Sequence, residues 1–286
     1  MTRVRIGLCS FVLAWLVGSV PASSLQNVAP RITPNVVYGH KDGLAMTLDV
    51  ITPPDANGAG VLYMVSGGWV SRWTPPEQAV KRFEPLWSKG FTVFLVRHGS
   101  SPRYKVPDAA ADVERAVRFV KLNASTFGVD PRRLGAHGGS AGGHLSLMLG
   151  LDPDAGDPRA ADPVLRAPSG VAAVVAYFPP VDLVGLTGPN ERFPALEFPA
   201  DLAHSVSPIR FASRDDPPVL LIHGDADTLV PIAQSQRMHA ALKERGVVSE
   251  FVTIEGGSHG FGGNPAHNQR ATALMVAWFE RHLGGK

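Results

Sequence analysis

The sequence predicts an α/β protein with a mostly parallel sheet and helices on both faces. Three observations predict it. Short apolar runs such as Val61–Val65, Phe91–Val96 and Val219–Ile222 have the length and the two-face burial of parallel strands. Segments with helical spacing separate them, so strand and helix alternate over most of the chain. Composition agrees: of 286 residues 44% are hydrophobic and 18% charged, too apolar for a disordered chain and long enough for a large core.

The chain starts with Arg3 and Arg5 ahead of an apolar run from Ile6 to Val20, then Val20-Pro-Ala22. Basic lead, short apolar stretch and small residues make residues 1–22 a secretory signal, cleaved after Ala22, with Ser24 the next site. The run is short for a membrane span, so no stable anchor is expected after cleavage. The expected location is secreted or periplasmic. Removing Arg3 and Arg5 leaves 25 basic residues against 25 acidic, and no Lys/Arg cluster offers a nucleic-acid face. The single cysteine, Cys9, leaves with the signal, which excludes disulfides, thiol catalysis and Cys-ligated metal from the mature chain.

Residues 23–34 read as a linker, and a domain follows over 35–286. Val36–His40 and Leu44–Ile51 form a hairpin across Lys41-Asp42-Gly43. Strand Val61–Val65 precedes a helix over Pro76–Lys89, opened by Pro-Pro-Glu and closed by Gly90. Strand Phe91–Val96 is followed by a helix over Asp108–Phe127, whose stripe is Val113, Ala116, Val117, Val120 and Ala124. Arg133–Ala136 is a strand, Gly142–Leu149 a helix, and Val171–Phe178 and Val219–Ile222 are buried strands. Helix Ile232–Arg245, strand Glu250–Ile254 and helix Ala266–Leu283 complete the order. Residues 179–217, Pro-rich and without periodicity, are too long for a simple connection and read as a small cap or lid.

The chemistry centres on His137-Gly-Gly-Ser140-Ala-Gly142-Gly-His144. Gly138-x-Ser140-x-Gly142 lies between a predicted strand and a predicted helix. A serine on so sharp a turn is held in strained backbone, which its small neighbours permit. The turn lifts the hydroxyl above the sheet and leaves the Ala141 N–H, at the helix start, facing developing negative charge. Two later strands end in polar loops, His223-Gly-Asp225-Ala-Asp227 and Glu255-Gly-Gly-Ser-His259-Gly-Phe261. Open α/β sheets build their sites at such strand ends. A serine hydroxyl needs a histidine to take its proton, and the histidine needs a carboxylate to orient it. Asp225 and Asp227 are both candidates for the carboxylate. His223, Asp225 and Asp227 could mimic a metal cluster, but a structural turn suits them better, and no metal or cofactor is expected.

On these motifs the chain resembles the α/β-hydrolases, in particular small feruloyl, acetyl-xylan and hormone-sensitive-lipase-like esterases, and the catalytic domain of prolyl-oligopeptidase-type peptidases. The resemblance covers nearly everything from Val36 onward and includes the chain order serine, acid, histidine. It implies Ser140 as nucleophile, Asp227 as acid (three residues before Val230-Pro231) and His259 as general base. Asp225 is then a loop-capping carboxylate. The relatives' His-Gly-Gly-Gly-Trp loop corresponds to Val65-Ser66-Gly67-Gly68-Trp69, which lacks the histidine. Gly67 or Gly68 is the second oxyanion donor beside Ala141. Trp69, Phe178 and Phe261 could line an acyl or aromatic pocket, with core packing the equal alternative for Phe178. His137 and His144 read as packing or surface residues, Asp112 as a hydrogen-bonding residue of its helix, and Asn123-Ala-Ser125 as a weak glycosylation sequon.

The implied activity is a secreted serine hydrolase of short-acyl or aryl carboxylic esters, small or polysaccharide-linked, acting through an acyl-enzyme. A prolyl-oligopeptidase-type peptidase is the alternative activity. A non-catalytic binding protein on the same fold is the alternative from another class.

Overall fold

A computed structural model of the chain describes residues 1–2 and 29–284. The expected signal segment lies outside the described residues except for its first two. Among the described residues no helix is long and apolar enough to cross a membrane.

Eight strands form one sheet: β1 (Arg31–Lys41), β2 (Leu44–Thr52), β3 (Gly60–Met64), β4 (Thr92–Val96), β5 (Leu134–Gly139), β6 (Ala173–Tyr177), β7 (Val219–Gly224) and β8 (Ser249–Ile254). Their spatial order is β1-β2-β4-β3-β5-β6-β7-β8. β1 and β2 pair antiparallel, β2 meets β4 antiparallel, and the remaining neighbours are parallel. The helices are α1 (Pro76–Arg82), α2 (Glu84–Trp87), α3 (Val106–Leu122), α4 (Ala124–Phe127), α5 (Ala141–Leu151), α6 (Ala233–Glu244) and α7 (Pro265–Leu283).

The strand pleat decides which helices cover which face. In β6, Ala173 and Val175 pack with Trp278 and Phe279 of α7, whereas Val174 and Ala176 pack with Leu147 of α5 and Met238 of α6. α3 shares the second face, its Val113, Val117 and Val120 meeting Leu62, Phe94 and Leu134. Hence β3, β4, β6 and β7 carry side chains to two cores, and most of their residues read as apolar runs rather than as an alternation.

Several boundaries differ from the sequence expectation. Arg31–Pro34, expected as linker, belongs to β1 and pairs with the end of β2. The single helix expected over 76–89 is two, broken at Phe83, and that over 108–127 is broken at Asn123. β5 runs three residues beyond Ala136, because His137, Gly138 and Gly139 keep their register with β6.

The segment 179–217 contains three 3-10 turns, at Pro194–Leu196, Ala200–Val206 and Pro208–Arg210. Leu183, Leu196 and Val206 join the core beneath α3 and α5. Lys105 at the start of α3 donates to the Pro194 carbonyl, 2.8 Å.

Candidate active site

Ser140 sits between β5 and α5 with φ 55° and ψ −121°, a left-handed φ that a non-glycine residue rarely holds. Sequence and packing together impose it. The Ser140 N–H donates to the Tyr177 carbonyl at 2.9 Å, and its own carbonyl accepts from the His144 N–H at 2.9 Å. A Cβ at Gly138 would run into the Gly142 backbone, and one at Gly142 would lie 2.8 Å from the Met64 carbonyl. Only glycine lets the turn close this tightly against β3. Ala141 opens α5, so its N–H has no intrahelical acceptor.

His259 follows β8, and its Nε2 lies 3.0 Å from Ser140 Oγ. Its Nδ1 lies 2.7 Å from Asp227 Oδ2. A carboxylate accepts, so Nδ1 carries the proton and the Nε2 lone pair faces the serine hydroxyl. Asp227 is itself held: Oδ1 accepts the N–H groups of Leu229 and Val230, both at 2.9 Å. His223 Nε2 lies 3.3 Å from Asp227 Oδ2 and donates to the Val230 carbonyl at 2.9 Å. Its Nδ1 therefore accepts from the Ser235 hydroxyl, 2.7 Å. Burial keeps the His223 imidazole below the usual histidine range. Asp225 turns away and accepts the Gly256 N–H at 2.7 Å, so of the two candidate acids only Asp227 meets His259.

The loop after β3 corrects two expectations. The Gly67 N–H donates to the Val70 carbonyl at 3.0 Å, closing a small bridge, and is not available to an oxyanion. The Gly68 N–H has no such backbone partner among the described residues, and Gly68 has φ 57° with Phe193 packed beside its Cα. Trp69 is 5% exposed and does not line the cavity beside Ser140; its ring packs edge-on against His144 and its Nε1–H points at His144 Nδ1, 3.4 Å. Its physical reason is size: the indole fills the core between β4 and α5, where its N–H finds an acceptor.

That cavity holds about 450 Å³. Phe178 and Phe261 both line it, and Phe178 also packs on the His259 ring at 4.7 Å and on Phe261 at 4.9 Å. Both readings of Phe178, pocket and packing, therefore hold. The rest of the wall comes from β3 and the loop after it, from α1 and α2, from the ends of β5 and β6, and from α7 with the loop before it; none of it comes from 179–217.

One participant, His98, carries no sequence signal. His98 donates from Nδ1 to the Gly99 carbonyl, 2.7 Å, so its Nε2 accepts the Ser66 hydroxyl at 2.8 Å. Asp112 takes the Gly99 N–H at 2.8 Å and pairs with Lys41 at 3.0 Å. This chain of contacts fixes the loop where the relatives' histidine would stand. His137 and His144 are buried, and burial pushes both down to about 4; His137 also lines the cavity.

Residues 48–242 match the BD-FAE family profile, more than half of the chain. The chain belongs to the BD-FAE family of α/β-hydrolase carboxylesterases. Within this family assignment, the chain is 30% identical over 262 residues to the esterase LipQ of Mycobacterium tuberculosis, covering 86% of this chain and 61% of LipQ. It thus spans about three-fifths of that relative's length. A truncated carbohydrate esterase from gut microbiota superposes with a TM-score of 0.76 at 27% identity, over 91% of this chain and 99% of the other. An acetyl ester-xyloside bifunctional hydrolase from Caldicellulosiruptor lactoaceticus gives 0.74 at 25% identity, over 89% and 97%. BD-FAE membership and these neighbours agree with the α/β-hydrolase architecture that the sequence predicts.

Proposed function

We propose that this BD-FAE family member is a serine carboxylic ester hydrolase acting through Ser140, His259 and Asp227. The observation that carries the reading is the relay Asp227–His259–Ser140, with contacts of 2.7 and 3.0 Å. His259 takes the Ser140 proton as Oγ attacks the ester carbonyl, forming the tetrahedral intermediate. The N–H groups of Ala141 and Gly68 bind its oxyanion, each worth about 3–4 kcal/mol in transition-state stabilisation. His259, now cationic and steadied by Asp227, protonates the leaving alcohol and frees it. Water, deprotonated by the same imidazole, attacks the acyl-enzyme and releases the acid and Ser140. No step calls for a metal or cofactor.

A cavity of about 450 Å³ suits short-acyl or aryl esters better than long chains. The carbohydrate esterase and the acetyl ester-xyloside hydrolase favour substrates borne on saccharides. The signal-like first 22 residues favour action in the periplasm or outside the cell.

The test is hydrolysis of p-nitrophenyl esters from acetate to palmitate by wild type and Ser140→Ala, with a peptidyl-proline anilide alongside. Turnover of the short esters that vanishes in Ser140→Ala is the expected result. Preferential cleavage of the anilide would replace the esterase with the peptidase, and no serine-dependent turnover would remove the triad.

A further inference from the structure

The cavity beside Ser140 continues into a second one of about 420 Å³ running along α1, and Tyr63, Ser66, Gly67, Arg82 and Phe83 wall both. The joint groove is basic. Arg82 stands at the junction and Arg72 lines the second cavity, and neither cavity has an Asp or Glu in its wall. By contrast, the partly buried Arg97, Arg115 and Arg118 are neutralised by Asp49, Asp162 and Asp154, each at 2.6 Å. Arg72 and Arg82 form no ion pair among the described residues, and Glu77, which borders the same surface depression as Arg82, does not reach it.

Arg82 is nevertheless held in place. Its Nη2 donates to Tyr63 Oη at 2.5 Å, and its guanidinium lies 4.8 Å over the Tyr63 ring and 5.5 Å from the Phe83 ring. One Nη is thereby engaged, and the other donors of the fork remain for a ligand. Its charge is felt at the site, since it helps hold His137, three residues before Ser140, in the neutral form. A guanidinium oriented by two aromatic rings, at the junction of a groove without acids, is an arrangement for binding an anion in a bidentate manner.

We propose that Arg82, supported by the field of Arg72, binds a carboxylate carried by the substrate, so that the preferred esters are anionic. This rests on the ester-hydrolase reading and narrows it to esters with an acidic group on the acyl or the alcohol portion.

The experiment measures kcat/KM for two matched pairs. On the alcohol side, 4-acetoxybenzoate is set against 4-acetoxybenzamide. On the acyl side, monomethyl terephthalate is set against methyl 4-carbamoylbenzoate. The anion-to-amide ratio is compared between wild type, Arg82→Gln and Arg72→Gln, so intrinsic reactivity and any general loss of active enzyme cancel. In at least one pair the ratio should fall about ten- to a hundredfold in Arg82→Gln, the size of a lost charge-assisted contact. The pair that responds identifies which portion carries the carboxylate. Arg72→Gln should lower the same ratio about threefold, as a screened, longer-range effect. In wild type the ratio should also decline as salt rises to about 1 M, where the screening length is about 3 Å. Ratios unchanged by Arg82→Gln in both pairs, or lost only in Arg72→Gln, would overturn the assignment while leaving the esterase intact. A wild type inert toward all four compounds and toward p-nitrophenyl acetate would overturn the esterase reading itself, and this inference with it.

Discussion

On the Asp227 side of Ser140 the polar groups are paired with one another, whereas on the Arg82 side two guanidinium groups face a groove that supplies no carboxylate. Asp227 accepts from His259, Leu229 and Val230. Beside it His223 is taken up by Ser235 and Val230. Across the cavity, Arg82 has only the Tyr63 hydroxyl and the faces of two aromatic rings. The difference separates two tasks. A group that must keep one geometry through proton transfer is saturated with internal partners, and a group that must receive a ligand keeps donors in reserve.

The largest expected effect breaks the saturated side. Asp227→Asn can donate where the carboxylate only accepted, so it admits the wrong His259 tautomer, and kcat should fall about 10⁴-fold. Steady-state rates on a short p-nitrophenyl ester check this, and circular dichroism should show an unchanged fold. A loss under tenfold would mean that Asp227 is not the orienting acid.

Next comes acid. His137 and His144 are pushed down to about 4 by burial, so near neutral pH both are uncharged in the native and unfolded chains alike. As pH falls below about 6.5 the unfolded chain takes up protons that the native one refuses. Stability therefore drops between about pH 6.5 and pH 4 and levels off below, by on the order of 3 kcal/mol per histidine. Urea unfolding across that range measures it. The Arg82→Gln ratio follows in size, on the groove side.

The smallest effect concerns the loop. Ser66→Ala removes the hydroxyl that His98 Nε2 accepts. With the Gly67–Val70 bridge intact, kcat should fall only a few-fold, about 1 kcal/mol, with KM nearly unchanged. A large rise in KM instead would move Ser66 from positioning the loop to touching substrate.

Much of this is legible in the amino-acid sequence alone. Unbroken apolar runs announced β4 and β7, and the glycines around Ser140 announced the sharp turn, because each signal is local. The break at Phe83 carried a signal that the apolar pattern masked, Pro85, which cannot continue a helix and opens α2. The break at Asn123 was not legible, since the apolar pattern continues across it. His98 was hidden because nothing near it in the chain reveals its partner Ser66, 32 residues away.

Strand and helix order, the serine on its turn and the two polar loops were thus determined by the sequence itself, through period, glycine and strand-end position. The resemblance already pointed to Asp227 rather than Asp225, and the contact with His259 agrees with it. Only the tertiary structure withdrew Gly67 from the oxyanion site and put Trp69 into the core. The reason is physical: a hydrogen bond depends on distance and direction between groups, here groups far apart in the chain. Ser140 and His259 are 119 residues apart in sequence and 3.0 Å apart in the fold. That meeting exists only because β5, β7 and β8 run parallel in one sheet and end on one edge.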